Sequence, residues 1–209
     1  TNLSFCNAFI KNALLDPFTG EIGKTLIFCV SQNHAERITQ ILNELAEKEF
    51  PSRYNSDFAV QVTSSVDSMN PQQMTVDFSN NNLLGNSPLN PLYKTSKARV
   101  CVTVAMMTTG YDCRDILNIC LMRPVFSPSE FIQMKGRGTR RFDFTECWMS
   151  KNDIPEIDYP EKQSFKLFDY FHNYRYFENE FNYDEKLKLP EPRKIPPAPT
   201  PPPPNDLVY

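Results

Sequence analysis

Short continuous apolar runs alternate along this chain with segments whose apolar residues recur at helical spacing. Thr25–Val30 (TLIFCV) is one such run, the pattern of a strand buried on both faces. Asn33 and Glu36 follow at capping-box spacing, and Ala35, Ile38, Ile41, Leu42 and Leu45 then mark one face of a helix. Phe58–Thr63 predicts a second strand. Pro71–Phe78 predicts a short helix with proline near its start, where the missing amide donor costs nothing. Arg99–Thr103 and Ile116–Met122 predict the third and fourth strands. Ser127-Pro128-Ser129-Glu130 reads as a helix start, with Ser at the N-cap, Pro first inside and Glu third. Phe165–Tyr170 gives a fifth strand, leading into an aromatic-rich helix through about Phe181. Strands alternating with helices predict an α/β fold, an open parallel sheet with helices on both faces.

Three segments stand outside this alternation. Residues 1–23 read as a connecting segment, carrying a helical turn or two from a preceding domain. Ser79–Tyr93, rich in Asn and Pro, reads as a long loop. The stretch Pro190–Pro204 is dominated by proline, so residues 190–209 read as an extended tail or linker without a core. The lobe itself is expected over 24–189.

Composition narrows the function classes. No stretch approaches the roughly 18 consecutive apolar residues of a membrane span, and no signal peptide opens the chain. The six cysteines form no C-x-x-C pair and sit mostly in apolar runs, and two scattered histidines, His34 and His172, supply no ligand cluster, so no metal site is expected. Reduced thiols without a leader suit a cytoplasmic location. A net charge of −3 is no global signature of nucleic-acid binding. Any such partner must meet a local patch, and Lys135, Arg137, Arg140 and Arg141 crowd one short stretch.

Gly23-Lys24-Thr25 imitates the end of a phosphate loop. The leading glycine of that motif falls at Phe18, however, and Lys24-Thr25 opens a strand where a phosphate loop opens a helix. With no acidic box ending a strand, the chain cannot bind and activate ATP by that route alone.

The stretch that carries chemistry is Phe131–Arg141 (FIQMKGRGTRR). If the helix beginning at Ser127 continues, Gln133, Gly136, Arg137 and Arg140 share one face. Permanently charged guanidinium forks, an amide, and a glycine allowing close approach suit a polyphosphate. Upstream, Met107-Thr-Thr-Gly-Tyr-Asp112 follows the third strand. Ligands of open parallel sheets bind beyond the strands' C-terminal ends, and there Thr108 and Thr109 offer hydroxyls and Gly110 a close backbone approach. Asp112 offers a carboxylate to a ribose hydroxyl or an arginine.

Gln133–Arg140 (QMKGRGTR) resembles motif VI of superfamily-two helicases, Q-x-x-G-R-x-x-R. Val102–Asp112 resembles motif V and Thr25–Val30 motif IV. More narrowly, TTGYDCRDILN, RPVFSPSEFIQMKGRGTRR and FKLFDYF resemble the restriction (R, motor) subunit of type I restriction-modification enzymes, over about Lys24 to Pro190. The resemblance implies a RecA-like second helicase lobe that works in ATP-driven translocation on double-stranded DNA before cleavage, as part of a hydrolase inactive in this piece alone. It implies that Arg137 and Arg140 reach the ATP phosphates as the catalytic pair. Gln133, Gly136, Gly110 and Asp112 line the nucleotide, and Thr103 and Thr63 touch the DNA backbone. ATP and Mg²⁺ are the implied cofactors, with the Mg²⁺ ligands in a first lobe outside this chain. The implied partners are that lobe, a nuclease domain, and methyltransferase and specificity subunits. Two departures are Ala105, where the family often has an acid, and Arg114, where proline is common. The alternatives are the second lobe of another superfamily-two helicase or repair motor, or a degenerate module that binds DNA or a partner.

Overall fold

A computed structural model of the chain describes residues 1–63, 70–104 and 112–180. Five strands form a single sheet: β1 (Thr25–Cys29), β2 (Ala59–Gln61), β3 (Val100–Thr103), β4 (Asn118–Met122) and β5 (Lys166–Asp169). Their order is β2-β3-β1-β4-β5, and every pairing is parallel. Parallel neighbours need crossovers, and α2 (Gln32–Glu49), α3 (Pro71–Ser79) and α4 (Pro128–Gly136) supply them after β1, β2 and β4. A further helix, α1 (Asn2–Asn12), precedes β1, and α5 (Asn173–Arg175) follows β5 and runs into a π-helical turn at Tyr176–Glu180. The expected open parallel sheet is thus present.

The central strands are buried throughout, and alternate side chains serve two cores. Ile27, Cys29, Val102 and Met122 pack with Ile38 and Leu42 of α2 and with Cys6 and Phe9 of α1. Leu26, Phe28, Cys101 and Leu121 pack with Phe78 of α3 and with Phe131 and Met134 of α4. Each such side chain fully withdrawn from water contributes about 1.5–3 kcal/mol, so both helical layers are needed. The connecting segment 1–23 therefore carries a helix that seals one face.

Three helix boundaries differ from expectation. The start of α2 is capped by Ser31, whose hydroxyl accepts from the His34 amide at 3.2 Å, not by an Asn33–Glu36 box. Ser127 precedes α4 but its hydroxyl caps no amide, meeting Ser129 instead, and Glu130 pairs with Arg123. The most consequential change is that α4 stops at Gly136. The aromatic-rich helix is the short α5 and its π-turn, where Phe177 stacks on Phe131 with ring centres 5.1 Å apart. The expected loop Ser79–Tyr93 carries no helix or strand beyond Ser79, the last residue of α3, and the irregular stretch runs on through Arg99, the expected start of β3, but it is pinned. Arg99 is fully buried and donates from Nε to the Ile22 carbonyl at 2.8 Å, with Asp16 at 3.8 Å.

Lys24 is a buried structural cation. Its ammonium sits 3.0 Å from Asp115 and donates to Asn81 Oδ1 at 2.8 Å and to the Phe78 carbonyl. The imitation phosphate loop is a three-way tie between β1, the end of α3 and the approach to β4.

Candidate nucleotide-facing site

Gln133 is exposed on α4, and Gly136, its last residue, is half-buried. A Cβ added to Gly136 would meet nothing within 4 Å, so the absence of a side chain there serves no internal contact and leaves open space. Arg137 caps the helix, half-buried, in right-handed helical backbone. Beyond it the chain leaves the helix. The Gly138 amide bonds Lys135 O at 3.0 Å, and the Thr139 hydroxyl donates to Gly136 O at 3.0 Å, satisfying carbonyls of the last turn. Arg140 therefore does not lie on the α4 face, which corrects the single-helix geometry expected for the four residues.

Packing explains the break. A Cβ on Gly138 would lie 2.2 Å from the Phe165 ring, so the chain lies flush on the segment entering β5. That segment also pairs with the residues that follow: the Lys162 amide donates to Phe142 O at 2.8 Å and the Phe144 amide to Pro160 O at 3.0 Å. Phe142 and Asp143, directly after the arginines, are thus held by backbone pairing with residues 160–162 and not by helical bonds.

Arg140 is brought instead to Asp112, with NH1 3.2 Å from Oδ1 and both side chains about half exposed. Of the two partners open to Asp112, the structure supplies the arginine. The pair lies at the edge where strands begin. The Asp112 carbonyl accepts from Ser79 at the end of α3, and Asp115, three residues on, meets Lys24 just before β1. Expectation had placed the ligand beyond the C-terminal end of β3. Asp112 and Arg140 occupy the opposite edge: Asp112 is tied to Ser79 at the end of α3, and helix α4 carries the chain back there from the end of β4.

Thr63 and Thr103 do lie at the C-terminal edge, on neighbouring strands tied by the Val62 amide to Val102 O at 2.8 Å. Their side chains are 2% and 0% exposed, so neither presents a hydroxyl to solvent. Thr63 accepts from Gln61 Nε2 at 3.3 Å. Thr108, Thr109 and Gly110, like Ala105 and the proline-rich tail, lie outside the described residues. Arg114, standing where proline is common, pairs with Glu146 at 2.8 Å and lies over the Phe142 ring, stapling the segment after the arginines.

Sequence reasoning missed several residues here. Gly138 was not singled out, although a second glycine directly after the Gly-Arg pair is a signal of close packing. Arg141 was noted only as charge. Lys162 carried no signal, since only the pairing of 142–144 with 160–162 brings it to the site.

The structure is an open, all-parallel sheet with helices on both faces, bearing a Q-x-x-G-R-x-x-R segment beside a carboxylate at the sheet edge. The chain is homologous to the endonuclease subunits of type I restriction enzymes. The EcoKI endonuclease subunit of Escherichia coli is 31% identical over 170 residues, which is 80% of this chain and 12% of that subunit. The EcoAI subunit of Escherichia coli is 27% identical over 122 residues, 58% of this chain and 13% of that one. A solved fragment assigned as an HsdR subunit from Vibrio vulnificus superposes with a TM-score of 0.54 at 29% identity, covering 80% of this chain and 26% of the fragment. The chain thus spans about an eighth of the length of its curated relatives. No family model matches it. Among the described residues, no helix is long and apolar enough to cross a membrane.

Proposed function

We propose that this lobe is the second motor lobe of a type I restriction endonuclease subunit and works in ATP-driven translocation on double-stranded DNA. The observation that carries the reading is Arg140. Its guanidinium stands half exposed at the strand-start edge, held by Asp112, a few residues after the end of α4 that carries Gln133, Gly136 and Arg137. Arg140 is the charge-stabilising finger on the transferring phosphoryl group, and Arg137 binds the neighbouring phosphate. Gln133, Gly136, Gly110 and Asp112 line the nucleotide side of the cleft. The donors suit phosphate oxygens and not a divalent cation, so the Mg²⁺ ligands and phosphate loop belong to a first lobe. The opposite edge of the sheet, at the ends of β2 and β3, faces the DNA track. Since Thr63 and Thr103 are buried, they serve that track by fixing backbone and not by offering hydroxyls. A nuclease domain and the methyltransferase and specificity subunits complete the assembly, and the chain by itself hydrolyses no ATP.

The test is Arg140→Ala in the full-length protein. DNA-stimulated ATP turnover should fall by about 10³ or more, the size of an arginine-finger effect. Arg140→Lys should rescue little, because an ammonium cannot fork across two phosphate oxygens. DNA affinity should change far less, since one charge is lost from a large interface. Lost DNA affinity with turnover retained per bound complex would make Arg140 a DNA-backbone contact and end this reading.

A further inference from the structure

Two shallow clefts flank the arginine segment where it pairs with the residues entering β5, and they share Arg141, Lys162 and Gln163. Their electrostatics are opposite in kind. One also includes Asp143, Glu146 and Glu161: Arg114 is paired with Glu146, and Asp143 accepts from the Thr145 amide and hydroxyl. The other, about 440 Å³, is lined by Arg140, Arg141 and Lys162 with Thr139, Gln163 and Ser164, and none of the described residues lining it is an acid.

Two of those cations have capacity to spare. Arg141 makes no hydrogen bond or ion pair among the described residues. Lys162 makes one hydrogen bond through its ammonium, to the Arg114 carbonyl at 3.2 Å, so two of its three donors remain. Arg140 is balanced by Asp112, which leaves Arg141 and Lys162 as the two cations of this wall without an ion pair among the described residues. Phosphate oxygens match the mixture of ammonium, guanidinium, amide and hydroxyl donors there. The wall is rigid, because Gly138 lies against Phe165 and the Lys162 amide is bonded to Phe142 O.

We propose that this cleft is a phosphate-binding subsite in which Lys162 and Arg141 are the binding residues, one step further along the same wall than Arg140. The proposal rests on the motor-lobe reading and deepens it. It places a contact on a segment more than twenty residues beyond the arginine motif and assigns the chemistry as phosphate oxygens, from either a nucleoside triphosphate or the DNA backbone. Burial supports the assignment by holding the Lys162 ammonium down to about 8, so its charge is responsive near neutrality. The groups around it are Cys113, Asp115 and Arg114 on the approach to β4, Arg140, Arg141, Asp143 and Glu146 on the arginine side, and Glu161 beside it.

The experiment compares Lys162→Ala, Lys162→Arg, Arg141→Ala and Arg140→Ala in the full-length protein. It reads the KM for ATP, kcat, and the affinity for a DNA duplex as a function of salt. Lys162→Ala and Arg141→Ala should each raise KM for ATP by on the order of tenfold, the size of one charge-assisted hydrogen bond, with kcat little changed. Lys162→Arg should retain ATP affinity. The native KM should rise as pH passes through about 8, and Lys162→Arg should abolish that rise because guanidinium keeps its proton. A structural role for Lys162 would not produce that pH signature. An unchanged KM with weaker DNA binding and a shallower salt slope assigns the phosphates to DNA, and the subsite stands. Unchanged KM and unchanged DNA binding in both alanine variants overturn it. If Arg140→Ala still abolishes turnover in that case, the motor-lobe reading survives; if it does not, both fall.

Discussion

Replacing Lys24 with methionine separates a structural lysine from a phosphate-binding one. In the native chain the Lys24 and Asp115 side chains are 2% and 7% exposed and 3.0 Å apart. Methionine keeps the stem and removes the charge. It leaves Asp115 buried with the Cys113 thiol, at 3.0 Å, as its remaining donor, and it removes the ammonium donor from Asn81 Oδ1 and from the Phe78 carbonyl, which keeps the Asn81 amide at 3.3 Å. Breaking a buried pair from one side costs about 3–5 kcal/mol, a large fraction of the roughly 5–15 kcal/mol that holds a domain together. Lys24→Met with Asp115→Leu should lose much less, because no uncompensated charge remains.

The pH dependence follows from both partners. Burial alone pushes the Asp115 carboxyl up, but the adjacent ammonium overrides it and leaves the group below the ordinary carboxylate range. Burial alone pushes Lys24 down, and Asp115 overrides that and leaves it raised. The carboxylate contribution is therefore present above the unfolded value of about 3.9 and lost as pH falls through the lower folded value. The ammonium contribution is present below the unfolded value of about 10.4 and lost as pH rises through the folded one. In Lys24→Met the lone carboxyl shifts upward, so the deficit relative to native should shrink on acidification. Urea melts of native, single and double variants at neutral and mildly acidic pH measure this. A single-variant loss under about 1 kcal/mol, the range of an exposed pair, would show that the pair is solvated and refute the reasoning.

The remaining expectations use the same lobe. Gly138→Ala must displace the Phe165 ring or the arginine segment. It should cost about 1–3 kcal/mol in a melt and lower ATP turnover of the full-length protein, whereas Gly136→Ala, which meets only open space, should leave stability nearly unchanged. All six cysteines are buried as free thiols, and burial pushes Cys6, Cys29 and Cys147 up to about 12. A thiol reagent at neutral pH should therefore react with none in the folded chain and with all in urea, and fast labelling of any one under native conditions would contradict the packing. The pure chain should show no DNA-stimulated ATP hydrolysis above a contaminant control; turnover that co-purifies with it would overturn the assignment of the phosphate loop to another lobe.

Much of the fold was legible because parallel strands buried on both faces leave a plain mark. Thr25–Val30 and Ile116–Met122 are apolar at nearly every position, and both became central strands. Proline at the first turn located α3 and α4. The caps were less legible, since Ser31, Asn33, Ser127 and Glu130 each have the right chemistry and only local geometry chose among their partners. Spacing and context spoke against a phosphate loop at Gly23-Lys24-Thr25, but the ion pair of Lys24 with Asp115 joins residues far apart in sequence and left no trace there.

The chain's own residue order determined which side chains carry the candidate chemistry. Gln133, Gly136, Arg137 and Arg140 form a local motif, and local motifs survive in one dimension. Tertiary structure decided how they are held. The helix ends at Gly136 because Gly138 must lie against Phe165, a contact between segments twenty-seven residues apart, and that break turns Arg140 toward Asp112. It also decided that the pair stands at the edge where strands begin, since α3 and α4 both end on that side. Lys162 and Arg141 became a cleft only through backbone pairing between 142–144 and 160–162. Periodicity reports which face of an element is buried. It carries no information about which distant backbone will pair with it, because that choice is made by the packing of the whole sheet.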